Sequence, residues 1–118
     1  MPVTADDFRR MALDLPEAEE RAHMDHPDFR VAGKIFASLG YPEDGFAMVK
    51  LHPEMQHEFM TAEPKVFVPA AGAWGRGGST TVRLKSARKS TLRSAVVAAW
   101  RNTAPKQLVE SYDSGKRA

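Results

Sequence analysis

The stretch WGRGGSTTVRL, from Trp74 to Leu84, sets three glycines among four consecutive positions, with Arg76 between them and Trp74 in front. A glycine-rich loop cradles a phosphate when it joins a strand to the start of a helix, because the free amides then point at the anion. Gly75-Arg76-Gly77-Gly78 leads instead into STTVRLK, which alternates as a strand does. A Gly-Lys-Ser/Thr step opening a helix is missing too. The segment therefore reads as a strand-to-strand connection whose glycines supply positive φ and close backbone approach. Two arrangements of the side chains follow. Trp74 packs on the core edge with Arg76 solvated, or both are held out toward a ligand as a wing.

Other chemistry finds little support in residue types and spacing. The chain has no cysteine, which removes disulfides, thiolate metal sites and cysteine nucleophiles. No serine stands in a Gly-x-Ser-x-Gly elbow. His23 and His26, three apart on one extended segment, are expected on opposite faces, and His52 and His57 lack His-Glu-x-x-His spacing. The acids Asp6, Asp7, Asp14, Glu17, Glu19 and Glu20 are spaced as helix surface and turn, not as an acid–base pair. The expectation is a protein that is not an enzyme and carries no catalytic residue, cofactor or metal.

The charge pattern is more informative. Residues 1–63 hold 6 Lys+Arg and 13 Asp+Glu, whereas residues 64–118 hold 11 and 2. Between Pro64 and Val109 there is no acid. Arg76, Arg83, Lys85, Arg88, Lys89, Arg93 and Arg101 follow one another in that span. Either the two halves neutralise each other on folding, or the basic half forms a phosphate-binding stripe across strand, turn and helix. Arg88 and Lys89 open a helix against its dipole, which is easier to understand if anions bind nearby.

These residues need elements to position them. Thr4 caps a first helix over about 4–14, with Phe8, Met11, Ala12 and Leu15 as its apolar stripe. Extended pieces follow at 20–24, 29–31, 33–40 and 46–51, with turns at Asp25–Pro27 and at 41–45. In 46–51, Ala47, Val49 and Leu51 are expected to be buried and Phe46, Met48 and Lys50 half-exposed. Pro53 starts a second helix, whose apolar side is expected to be Met55, Phe59 and Ala62. Strands at 65–69 and 79–85 precede a third helix over 88–104 with a stripe of Leu92, Ala95, Val96, Ala99, Trp100 and Thr103. Arg83 and Lys85 would then share one strand face. A short helix around 106–112 and a polar tail at 113–118 complete a single domain over 1–112. This order implies an α+β fold with a mostly antiparallel sheet. The acidic, apolar-poor start and the lack of a long apolar run imply a soluble, cytoplasmic protein with no membrane contact.

The segments HPDFRVAGKIFASLG, FAMVKLHPEMQHEF, FVPAAGAWGRGGSTTVRL and LRSAVVAAWRNTAPKQL resemble, in this order and spacing, the MmcQ/YjbR family of small bacterial proteins, over about residues 20–108. The characteristic positions here are Lys34, Phe36, Lys50, Trp74, Gly75, Arg76, Gly78, Val82, Trp100 and Pro105. The resemblance implies a CyaY-like, double-wing-like fold with helices on one face of an antiparallel sheet. It also implies DNA binding. Together with the acid-free basic run, this gives the expectation of weak, non-specific DNA binding through Arg76, Arg83, Lys85, Arg88, Lys89, Arg93, Trp74, Lys34 and Lys50, by a monomer or weak homodimer. The frataxin-like fold offers an alternative: a module for a protein partner or a metal, using the acidic N-terminal surface.

Overall fold

A computed structural model describes residues 3–40 and 43–117. Helix α1 (Ala5–Leu13) starts at a capping box, in which the Thr4 hydroxyl accepts from the Asp7 amide and the Asp7 carboxylate accepts from the Thr4 amide. Strands β1 (Glu19–His23), β2 (His26–Val31), β3 (Lys34–Leu39) and β4 (Phe46–Lys50) form an antiparallel meander. Helix α2 (Pro53–Ala62), strand β5 (Phe67–Pro69), helix α3 (Gly72–Arg76) and strand β6 (Ser79–Arg83) follow. A 3₁₀ turn leads to α4 (Lys89–Thr103) and α5 (Lys106–Arg117). The six-stranded sheet has the order β1-β2-β3-β4-β6-β5, all neighbours antiparallel. The fold is thus the α+β class that the element order implies. Tyr41 and Pro42 of the expected turn lie outside the described residues.

One face of the sheet carries the core. Ala47, Val49 and Leu51 are buried as their alternation requires, and Thr80 and Val82 from the neighbouring strand, with Leu84 just beyond its end, join them. Helix α4 lays Leu92, Ala95, Val96, Ala99 and Trp100 on this surface, and α1 adds Phe8, Met11 and Ala12. The Phe8 and Phe29 rings meet at 6.0 Å. Helix α2 differs from its expected orientation. Met55 and Ala62 are exposed, while Gln56, Phe59 and Met60 face inward. The reason is polar: Gln56 Nε2 donates to the carbonyls of Gly75 and Ser79 at 2.9 and 3.1 Å, so a glutamine takes a core position. On the other face, Asp28, Ser38, Met48, Thr81 and Val68 occupy one row of the pairing register, with Asp28 and Ser38 buried and Met48, Thr81 and Val68 half-buried.

Candidate functional site

Two features differ from their sequence reading, and one of the two arrangements open to Trp74 is selected. The glycine-rich connection is not a plain loop, because Gly72–Arg76 forms a short helix before Gly77 and Gly78 lead into β6. Trp74 on that helix is 75% exposed, so it does not pack on the core edge. The turn of the first hairpin lies at Met24–Asp25, both at positive φ (48° and 66°), as a tight two-residue hairpin demands. His23 and His26 are therefore directly paired across β1 and β2 and share a face. Pro27 lies inside β2 opposite Ala22 and not in the turn its residue type suggests.

These features enclose a groove of about 710 Å³ on the open face of the sheet. Its floor is Ile35, Ser38, Met48 and Thr81. His23, Met24 and His26 form one wall, and Ala73, Trp74 and Gly77 form the other, with Lys50 and Ser79 between them. Its volume falls in the range of roughly 300–1,000 Å³ typical of small-molecule sites. Trp74 and Met24, the latter 87% exposed, are large apolar side chains left in solvent at its rim.

Beneath the histidine wall sits a charged array. Asp28 is fully buried, and its carboxylate accepts from Arg30 Nε at 2.8 Å and Nη2 at 3.0 Å. His23 Nδ1 lies 2.7 Å from the same carboxylate. The Arg30 hydrogen bonds hold the Asp28 carboxyl below the usual carboxylate range, outweighing the opposing effect of burial, with His23 adding to the effect. The Arg30 guanidinium is correspondingly held above its ordinary value by Asp28.

The basic residues divide between two faces. Lys50 lines the open-face groove with Trp74. Arg83 pairs with Phe46 on the same face, and Arg76 is exposed at the end of α3. Lys34 precedes groove-lining Ile35 on β3 and pairs with Val31, which puts it on the opposite face. Lys85 has left the strand for the 3₁₀ turn, so it does not extend a row with Arg83. Arg88, Lys89, Arg93 and Arg101 stand with α4. Lys89, Arg93 and Arg101 line a second groove, about 970 Å³, with His52, Met55 and Tyr112 on the helical side. The expected single stripe is thus two separate sets.

The acidic half pairs mostly with itself. Arg9 binds Asp6 at 2.8 Å and Glu20 at 2.9 Å, and Arg21 reaches Glu19 at 3.4 Å. Contacts between the halves are long: Arg88–Glu63 at 3.9 Å and Lys89–Asp7 at 4.0 Å. Solvated pairs at such distances contribute little. Arg76, Arg83, Lys85 and Arg93 have no ion pair among the described residues. Among the described residues no three His, Asp or Glu side chains gather as a metal would require. No helix among them is long and apolar enough to cross a membrane.

A six-stranded antiparallel sheet with its core helices on one face and an open groove on the other defines an α+β domain of open-faced type. The chain matches the YjbR family over residues 13–102 and belongs to that family. The crystal structure of Deinococcus radiodurans protein DR2400, assigned the domain DUF419, is similar at a TM-score of 0.69 and 21% sequence identity. The similarity covers 83% of this chain and 76% of that one, and it concerns the fold. No curated protein matches the chain.

Sequence reasoning missed the histidine wall. Met24 and Asp25 carry neither the Asn-Gly nor the Gly signature of a tight hairpin, while Pro27 looks like a turn residue. The pairing of HMDH into a two-residue turn was available only from strand register.

Proposed function

We propose that this chain binds nucleic acid weakly and without sequence preference, on the open face of its sheet, with single strands preferred over duplex. The observation that carries this reading is Trp74, 75% exposed at the rim of a groove that also holds Lys50. An indole left in water on an uncovered sheet is a platform on which any base stacks. Arg83 on the same face and Arg76, two residues beyond Trp74 at the end of α3, supply cations for phosphates, and neither is neutralised by an ion pair among the described residues. A duplex cannot offer a base to the groove without unstacking it, whereas a single strand can.

The test is fluorescence anisotropy with labelled single-stranded and duplex oligonucleotides at several salt concentrations. Single-strand affinity is expected in the range of roughly 10⁻⁴–10⁻⁶ M, the range of non-specific binding. Three phosphate contacts give a log–log salt slope of about −2, at about 0.7 per contact. Trp74→Ala should weaken single-strand binding by about 1–3 kcal/mol. Arg76→Ala should lower the slope by about 0.7 and affect all sequences alike. If neither strand form binds at low salt, the reading is wrong. A Trp74→Ala protein that binds as well as the unaltered one moves the interface to the Lys89–Arg93–Arg101 groove.

A further inference from the structure

We propose that His23 and His26 act as general base and general acid in cleaving RNA strands laid across the open sheet face. This rests on the nucleic-acid reading of that face and assigns it a reaction. The two histidines are cross-strand partners on one wall of the groove that Trp74 and Lys50 also line. His23 is fixed rather than free. Its Nδ1 is held 2.7 Å from Asp28, a fully buried carboxylate that Arg30 grips with two hydrogen bonds. A base oriented by a buried carboxylate, at the wall of a groove, is the arrangement of an oriented general base. With Nδ1–H donated to Asp28, Nε2 is the basic nitrogen, and it has no partner among the described residues.

A phosphodiester with a neighbouring 2′-hydroxyl suits this set, because the substrate brings its own nucleophile. His23 Nε2 takes the 2′-hydroxyl proton as the 2′-oxygen bonds to phosphorus. The bond from phosphorus to the 5′-oxygen breaks, and protonated His26 gives its proton to that leaving oxygen. The products are a 2′,3′-cyclic phosphate and a 5′-hydroxyl, with no change of oxidation state. Lys50 stands in the same groove to stabilise charge on the phosphoryl oxygens. Asp28 is a positioning residue in this scheme.

The experiment uses the full chain with a fluorescent oligodeoxythymidine that contains a single ribouridine, in buffer with EDTA, beside an all-deoxy strand. Products are identified by mass spectrometry, and binding is followed in parallel by anisotropy. Cleavage is expected only after the ribouridine, leaving a cyclic phosphate, with a bell-shaped pH–rate profile. His23→Gln and His26→Gln, both at solvent-accessible positions, should each slow cleavage about 10²-fold or more, read as the single-turnover rate at saturating protein. Asp28→Asn should displace the pH–rate profile, which a purely structural role would not do. Binding without cleavage overturns this proposal and leaves the nucleic-acid reading intact. Cleavage that survives both histidine substitutions comes from elsewhere and also overturns it. Failure to bind either strand overturns the reading of the face, and this proposal with it.

Discussion

The Asp28 carboxylate is removed from water and kept charged by two hydrogen bonds from Arg30 and a contact from His23. Removing one partner of such an array leaves the other charges uncompensated. Asp28→Asn should therefore destabilise the fold by about 3 kcal/mol, the low end for a broken buried pair because Arg30 is partly exposed. Urea denaturation at neutral pH measures this. The pH dependence has a definite sign. A carboxyl held below its unfolded value of about 3.9 stabilises the fold above that pH. The contribution is lost as pH falls through the folded value. Asp7 acts in the same direction, lowered chiefly by its hydrogen bonds with Thr4. The urea midpoint should fall on acidification below about pH 4, and Asp28→Asn should flatten that fall.

At the scale of elements, α3 is what brings Trp74 to the groove, and glycines seat it. A Cβ at Gly75 would stand 1.8 Å from the Ala70 carbonyl oxygen, and one at Gly78 would stand 1.8 Å from that of Leu51. Gly78 also has a φ of +112°. Its carbonyl accepts from the Leu51 amide and the Thr80 hydroxyl. Gly78→Ala should thus cost more than about 1 kcal/mol, because the native backbone cannot take a Cβ there. Thermal denaturation checks the cost. This use of the glycines is legible in the sequence, because a cluster of glycines marks positive φ and close backbone approach. The helix itself was not. Five residues with two glycines, GAWGR, carry no periodicity, and glycine weakens any helix reading. Gln56 shows the same limit, because its two carbonyl partners lie 19 and 23 residues away.

For the whole molecule, Trp100 joins distant parts of the chain. It is fully buried, its indole N–H donates to the Pro16 carbonyl at 3.0 Å, and its ring meets Tyr112 at 5.1 Å. Trp100→Ala should cost about 3–5 kcal/mol, the loss of a large core ring plus the cavity it leaves. Chemical denaturation measures the loss. A variant as stable as the unaltered protein would mean that α1, α4 and α5 are not held on one core. Burial of Trp100 followed from the α4 stripe alone, whereas its partners in the α1–β1 connection and in α5 did not.

The sequence by itself determined what is local and periodic. Alternation in 46–51 and 79–84 and the apolar stripes of α1 and α4 depend on which residue follows which, and burial obeyed them. The Thr4 capping box and the uneven charge of the two halves are equally local properties. Only the tertiary structure decided where those charges point. Arg83 and Arg93 lie ten residues apart, yet one stands on the open sheet face and the other in the helical groove, because α4 crosses to the far side of the sheet. His23 and His26 face one way because Met24 and Asp25 both turn through positive φ, and a turn of any other length would separate them. A face is a property of pairing and packing, and no spacing along the chain contains it.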